Sequence, residues 1–423
     1  MMPDATSTSP LFSGSQRRCH LLLTLYLPDT VVTLDGLCQL NGVDSECARQ
    51  DIAEVAAEIQ RYHQLAIETQ QDGSLRLQGA ELDRRLCLLH WLRRTLRLAP
   101  DFVAQHFSPA IRQWLKACGI EKSIYDEKNL QALIQHCAGT LQRDFTPRDR
   151  QLLQLFMQFS LCQHSYVNFT PTQQQWLAGK AERLAAQDVV RHWQKRCSAA
   201  PHSNEIDFYA LLFSLIYAPA VEAIRHDNER QLMQAVQQLI RRFQTLSTLQ
   251  FSDEQGLSAQ LYTHLAQALD RSHFAIGIDS SLSEEVIRLY PRLLRTTYSA
   301  LAPFEQQYGV RFSQQEAGLI AVIFGAWLMQ ENTLQEKQVL LLTGHDKMRE
   351  QELEQQLREM TLLPLTIRYQ DMMEFQRDGA PKEIALVISP YATPLPLYSP
   401  PLVHAELPLT ENQQRRIRAL LEA

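Results

Sequence analysis

The sequence predicts a mainly α-helical chain with a compact N-terminal domain, two copies of one helical module and a small C-terminal α/β domain. Three observations predict it. Residues 16–80 run in the order helix, helix, turn, helix, hairpin. Leu161-Cys-Gln-His-Ser-Tyr-Val-Asn-Phe169 followed by Glu205-Ile-Asp-Phe-Tyr-Ala-Leu-Leu-Phe213 reads like Leu269-Asp-Arg-Ser-His-Phe-Ala-Ile-Gly277 followed by Glu316-Ala-Gly-Leu-Ile-Ala-Val-Ile-Phe324. The offsets from Gln163 to Arg271 and from Glu205 to Glu316 are both about 110 residues, the mark of a tandem repeat. From Lys337 onward the apolar pattern changes from helical spacing to short buried-strand runs.

Bulk properties bound the possibilities. At 423 residues the chain has room for about three or four domains. The longest apolar candidate, His20 to Leu27, is far shorter than the roughly 18 residues that cross a bilayer, so no membrane partner is expected. Residues 1–15 are rich in Ser, Thr and Pro but lack a charged start and apolar core. They read as a flexible tail rather than a secretion signal, and the expected location is the cytoplasm. All eight cysteines lie between Cys19 and Cys197 at irregular spacing with no CxxC pair. That argues against a zinc site and a disulfide framework, and they read as small buried apolar residues. No metal or cofactor is expected.

Within residues 16–80, Arg17 to Leu27 is an apolar-striped helix stopped by Pro28-Asp29, and Val31-Val32 is an extended step. Thr33 caps the next helix, Leu34 to Leu40, and Asn41-Gly42 makes a turn. Asp44 or Ser45 caps a third helix with Ala48, Ile52, Val55 and Ile59 on one face. Leu65 to Thr69 and Ser74 to Gln78 form strands around Gln71-Asp72-Gly73. This order is that of a winged helix-turn-helix. Its third helix would enter the major groove with Ser45, Arg49 and Gln50 near base edges, and Arg76 on the wing would face a phosphate. The segment holds five basic residues (Arg17, Arg18, Arg49, Arg61, Arg76) against nine acidic (Asp29, Asp35, Asp44, Glu46, Asp51, Glu54, Glu58, Glu68, Asp72). Most DNA-binding domains have the opposite sign, because phosphate neutralisation supplies most nonspecific affinity. A winged helix kept for dimerisation or partner docking therefore stands as the second reading.

Residues 81–144 form a helical connector. Its basic amphipathic helix sets Arg84, Arg85, Arg93, Arg94 and Arg97 around Leu86, Leu88, Leu89, Trp91 and Leu92. That basic face either follows a DNA backbone or, more simply, is a solvated face.

The repeats, at 145–240 and 250–335, together with Leu261-Tyr-Thr-His264-Leu, resemble the PTS regulation domain (PRD). This is the helical module by which bacterial sugar-phosphotransferase carriers control transcription regulators. The run Gly73-Ser-Leu-Arg-Leu-Gln-Gly-Ala-Glu81 is similar to the wing and exit of the BglG and mannitol-regulator families. In PRD modules, a His on the first helix and another on the last share a cleft and receive phosphate from a carrier protein. The resemblance puts His264 at the first position of the second repeat, seven residues ahead of Arg271, and Ile323 at the last-helix position. In the first repeat the two positions are Phe156 and Leu212, so that module is degenerate, and of the four positions only His264 is a phosphorylation candidate. The resemblance also implies a homodimer formed through the repeats.

From Lys337, Val339 to Leu342 reads as a buried strand, Thr343 to Asp346 as a loop and Lys347 to Met360 as a helix. Leu365 to Arg368, Ile384 to Ser389 and Leu402 to His404 follow as parallel strands, and Glu411 to Leu421 as a closing helix. The pattern over 337–423 resembles the galactitol-type IIB component, whose first loop presents a phosphate-accepting Cys. No Cys follows Cys197 here, and His345 is the nearest substitute.

Two classes of function remain in front. One is a PRD-containing DNA-binding regulator, modulated at His264 by a phosphocarrier protein of the phosphotransferase system. The other is an adaptor that docks another regulator after losing DNA binding and phosphorylation. An enzyme comes last, since no Ser, His and Asp motif or P-loop is present and no catalytic residue stands out.

Overall fold

A computed structural model describes residues 11–163, 165–194, 204–216, 224–278, 284–330, 336–362, 364–396 and 399–422. The chain divides into two compact units. The first is Met1–Arg230 with Leu269–Asp279, and the second is Gln231–Ala268 with Ser280–Ala423. No described helix is long and apolar enough to cross a membrane.

The first unit opens with the helix Gly14–Tyr26, which starts inside the stretch expected to be a tail because Ser13 and Gln16 form a reciprocal capping box. Thr33 caps Leu34–Asn41 through the Gly36 amide at 3.1 Å. Gly42, at φ +63°, ends that helix in the left-handed region, where glycine has no Cβ to clash. Of the two candidate caps for the third helix, Ser45–His63, Asp44 is the one used, accepting from the Cys47 amide at 2.8 Å. Ala48, Val55 and Ile59 lie on its buried face. The strands Ala66–Thr69 and Leu75–Gln78 pair antiparallel, and Val32 adds one bridge to Leu75.

The helix Glu81–Leu98 follows, then shorter turns and the helices Ser108–Ala117 and Glu127–Leu141. The first repeat contributes Pro147–Ser160, Pro171–Ala178, Glu182–Gln194 and Asn204–Ile216. One apolar core runs through all of these, from Cys19 to Ile216, and also takes in Phe274. Phe156 and Leu212 lie in that core. Both side chains are closed off from solvent.

The helical part of the second unit comprises the remainder of Asp227–Ser247, most of Glu254–His273, and Glu284–Leu289, Pro291–Tyr308 and Gln314–Gln330. Phe243 and Phe324 stack with ring centroids 4.0 Å apart. Four parallel strands follow, in the order Leu365–Asp371, Lys337–Thr343, Leu386–Ser389, Leu402–His404. Alternation along the Lys337 strand builds two cores. Val339 and Leu341 pack with Leu353, Leu357, Ile417 and Leu421 of the helices Lys347–Met360 and Glu411–Glu422, while Leu340 and Leu342 pack with Phe375. Phe375 belongs to a short helix, Met372–Asp378, that has too few residues to show a period in the sequence.

Candidate functional site

His264 projects from Glu254–His273 toward the first turn of Gln314–Gln330. Its Nε2 lies 3.2 Å from Glu316 Oε2, and both side chains are largely enclosed. The Nε2 atom itself is buried and off the line of a proper hydrogen bond, so the contact is one of proximity. Glu316 is held by the helix start: its amide donates to Ser313 Oγ at 3.2 Å, and a carboxylate in a first turn is favoured by the unpaired amides there. One helical face carries Gly256, Gln260 and His264. Gln260 Oε1 accepts from Trp327 Nε1 at 2.6 Å, and a Cβ on Gly256 would meet Trp327 at 2.6 Å, so the two helices approach closely. Ile323, the expected second His position, is half-buried on the Trp327 helix.

The equivalent acid in the first repeat, Glu205, is used differently. Its two oxygens accept from Arg85 Nη1 at 3.0 and 2.9 Å. Arg85 is 2% exposed and also reaches Glu81 Oε1 at 2.9 Å and the Ser165 carbonyl at 3.1 Å, over the ring of Phe208. Burial opposes the charge on Arg85, but the hydrogen bonds and charges of Glu205 and Glu81 outweigh it and raise its pKa. A permanent cation thus sits against the acid that in the second repeat faces an imidazole.

Sequence reasoning missed a second buried network in the first unit, although Asp270 stood in the repeat motif. Asp270 is fully buried and accepts from Trp176 Nε1 at 2.9 Å and Ser214 Oγ at 2.5 Å, with Lys180 Nζ at 2.9 Å. Burial disfavours the Lys180 charge, yet Asp270 and Glu182 raise its pKa. Beside it, Glu182 pairs with Arg143 at 2.7 Å.

In the C-terminal domain, the loop that begins at Gly344 is closed from within. Buried Glu350 accepts from the Gly344 amide at 2.6 Å and from the Tyr391 hydroxyl at 2.9 Å, while the Asp346 amide donates to that hydroxyl at 3.0 Å. The chain's own carboxylate therefore takes the Gly344 amide at the start of this loop. His345 remains exposed beside Tyr391.

Ser45, Arg49 and Gln50 are exposed on the first turns of Ser45–His63, and Arg76 is exposed opposite Glu68 on the hairpin. Three of the nine acids counted in this segment are engaged by cations: Asp51 by Arg17 at 2.8 Å, Glu54 by Arg18 at 2.5 Å and Glu58 by Arg94 at 2.6 Å. Asp44 and Glu46 remain at the helix start.

Residues 237–327, which hold His264 and Glu316, match the PRD domain family, so the helical repeat that carries the candidate site defines a PRD-containing protein. Residues 337–421 match the family described as "Stationary phase-inducible protein CsiE, C-terminal domain". Over the whole length the chain is 50% identical to the stationary phase-inducible protein CsiE of Escherichia coli (strain K12), covering 100% of both, and it belongs to the CsiE family. It is also 20% identical over 329 residues to a Bacillus subtilis (strain 168) protein described as "Probable licABCH operon regulator", covering 75% of this chain and 48% of that protein.

Proposed function

We propose that this chain is a PRD-containing transcription regulator. It binds DNA through the three helices and hairpin of residues 16–80, acting as a winged helix, and it is modulated by phosphorylation of His264. The observation that carries this reading is the His264–Glu316 pair inside the matched PRD span. The operon-regulator description of the Bacillus subtilis relative supports the regulatory class. Residues 145–240 and 250–335 are read as tandem PRD modules that pair in a homodimer, and 337–423 as a IIB-like domain without its thiol.

The chemistry follows from the neighbours of His264. A neutral imidazole nitrogen attacks the phosphorus of a carrier phosphohistidine, a new N–P bond forms, and the carrier's N–P bond breaks. The product carries roughly −1.5 to −2 charge near neutral pH. Beside the carboxylate of Glu316, 3.2 Å from the ring before the transfer, that added charge is repulsive. The helices Glu254–His273 and Gln314–Gln330, which meet along this face, are then pushed apart at one end. Incubation with phosphoenolpyruvate and the general phosphotransferase proteins should place acid-labile phosphate on the chain, and His264→Ala should remove it. Label retained by that variant moves the acceptor elsewhere, with His345 next. No label under any condition makes the second repeat a fixed docking platform.

A second reading, the protein-binding adaptor, is favoured by Asp44 and Glu46 at the start of the DNA-facing helix, where they would repel phosphates. Under the DNA-binding reading, affinity is weak and falls with added salt. Arg49→Ala then relaxes base preference by about 1–3 kcal/mol, whereas Arg76→Ala weakens all sequences alike. A filter-retention series across genomic fragments separates these effects. If retention is unchanged in both variants, the adaptor reading replaces this one.

A further inference from the structure

A groove of about 490 Å³ opens in the first unit between the helix Glu81–Leu98 and the start of Pro147–Ser160. Arg93, Arg94, Arg97 and Arg148 line it, with Asp149 the one acid among its lining residues. Arg94 is already committed: it bonds Glu58, contacts His90 Nε2 at 3.0 Å and lies over the Trp91 ring at 4.1 Å. Arg93, Arg97 and Arg148 are solvent-exposed, and none has an ion-pair partner among the described residues. Protein still surrounds enough of the Arg93 guanidinium to lower its pKa by desolvation, an effect that the charge of Asp149 only partly opposes.

Three uncommitted guanidinium groups in one concavity are unusual for a chain whose formal net charge is −6. Like charges gathered in a cleft repel one another, and the field they focus there selects a multiply charged anion. Guanidinium forks match phosphate oxygens in pairs, so the chemistry best recognised is a run of phosphates. Leu96 and Leu152 add an apolar wall, and the volume falls in the range of sites for small organic ligands.

The position argues against DNA as the occupant. Arg94 bonds Glu58, and His90 lies against His63 with ring centroids 5.3 Å apart. Both contacts are near the C-terminal end of Ser45–His63. Ser45 is about 20 Å away from Glu58 along that helix, at 1.5 Å per residue. A duplex is moreover a convex partner for a concave site.

We propose that this groove binds a small polyphosphate, either a nucleoside triphosphate or an inorganic polyphosphate chain, through Arg93, Arg97 and Arg148. Arg94 and His90 touch both the groove and the helix Ser45–His63, so occupancy is transmitted to the helix that faces DNA in the regulator reading. The binding step itself does not depend on that reading or on His264.

The test is calorimetric titration of the full-length chain with GTP, tripolyphosphate and inorganic phosphate at constant ionic strength. The expected result is at least tenfold tighter binding of tripolyphosphate or GTP than of phosphate. A lead for GTP identifies a nucleotide site, and a lead for tripolyphosphate identifies a chain of bare phosphates. Arg93→Gln with Arg97→Gln should weaken the tighter ligand at least tenfold, and Arg148→Gln alone should do so to a lesser degree. The exposed Arg61→Gln is the charge-matched control for Arg148→Gln and should change nothing. Circular dichroism checks that each variant is folded, and Arg148→Gln, whose side chain is exposed, serves if the double variant is not. Equal weak binding of all three probes overturns the proposal, as does a Kd unchanged in the groove variants. A 20-base-pair duplex that loses affinity in those variants while tripolyphosphate does not bind makes the groove a DNA-backbone contact instead.

Discussion

Asp270→Ala should lower the unfolding free energy of the first unit by about 3–5 kcal/mol, the usual cost of removing one partner of a buried ion pair. The aspartate has no exposed surface and satisfies three neighbours at once: Trp176, Ser214 and Lys180. Truncation leaves the indole N–H without its acceptor and an ammonium facing a hole. Asp270→Asn keeps an oxygen for Trp176 or Ser214 but drops the charge, and its loss should fall between those of wild type and alanine. Because a chain of two compact units need not unfold in one step, the measurement is denaturant unfolding followed by tryptophan fluorescence, with the two transitions fitted separately. A change below about 1 kcal/mol for Asp270→Ala would show that water replaces the carboxylate at little cost.

Arg85→Ala should be comparably damaging, by about 3–5 kcal/mol, because it strips a buried cation from the partly buried Glu205 and Glu81. Lysine should not rescue it. One ammonium on a flexible stem cannot reproduce the planar fork that reaches Glu81, Glu205 and the Ser165 carbonyl together, nor its stacking over Phe208. Combining Arg85→Ala with Glu205→Gln should recover part of the loss, since the second change neutralises the orphaned charge. A double-mutant cycle with no coupling between the two would show that the contact adds nothing to the fold.

These two sites mark the boundary of what could be read in advance. Thr33 as a cap, the start of the third helix at Asp44 or Ser45, the Gly73 turn and the strands around it follow from residues at most a few positions apart, and the structure has them, with Asp44 as the cap of the third helix. The parallel strands of the C-terminal domain were legible for the same reason: Val339 to Leu342 form a short apolar run bounded by a turn. His264 could be singled out through the family resemblance of its repeat, but its partner could not. Glu316 is 52 residues away and was visible only as one end of a repeat motif.

The five arginines of the helix Glu81–Leu98 show the limit most clearly. In sequence they form one basic set. In the structure Arg85 is sealed in the core against Glu205, Arg94 is clamped by Glu58, and Arg93 and Arg97 open into a groove. Periodicity places a side chain on a face, but it cannot say whether that face meets water, an acid or another cation.

What the sequence determined by itself is therefore the order of elements, the likeness between two stretches about 110 residues apart and the absence of any Cys after Cys197. All of these depend on residue identity or on contacts within a few turns. What only the tertiary structure decided is which partner each carboxylate meets. Glu205 takes Arg85, Glu316 faces His264, Glu350 fills its own loop, and Asp270 holds Lys180. An electrostatic pairing depends on distance in space and on exclusion of water, and neither is a function of separation along the chain.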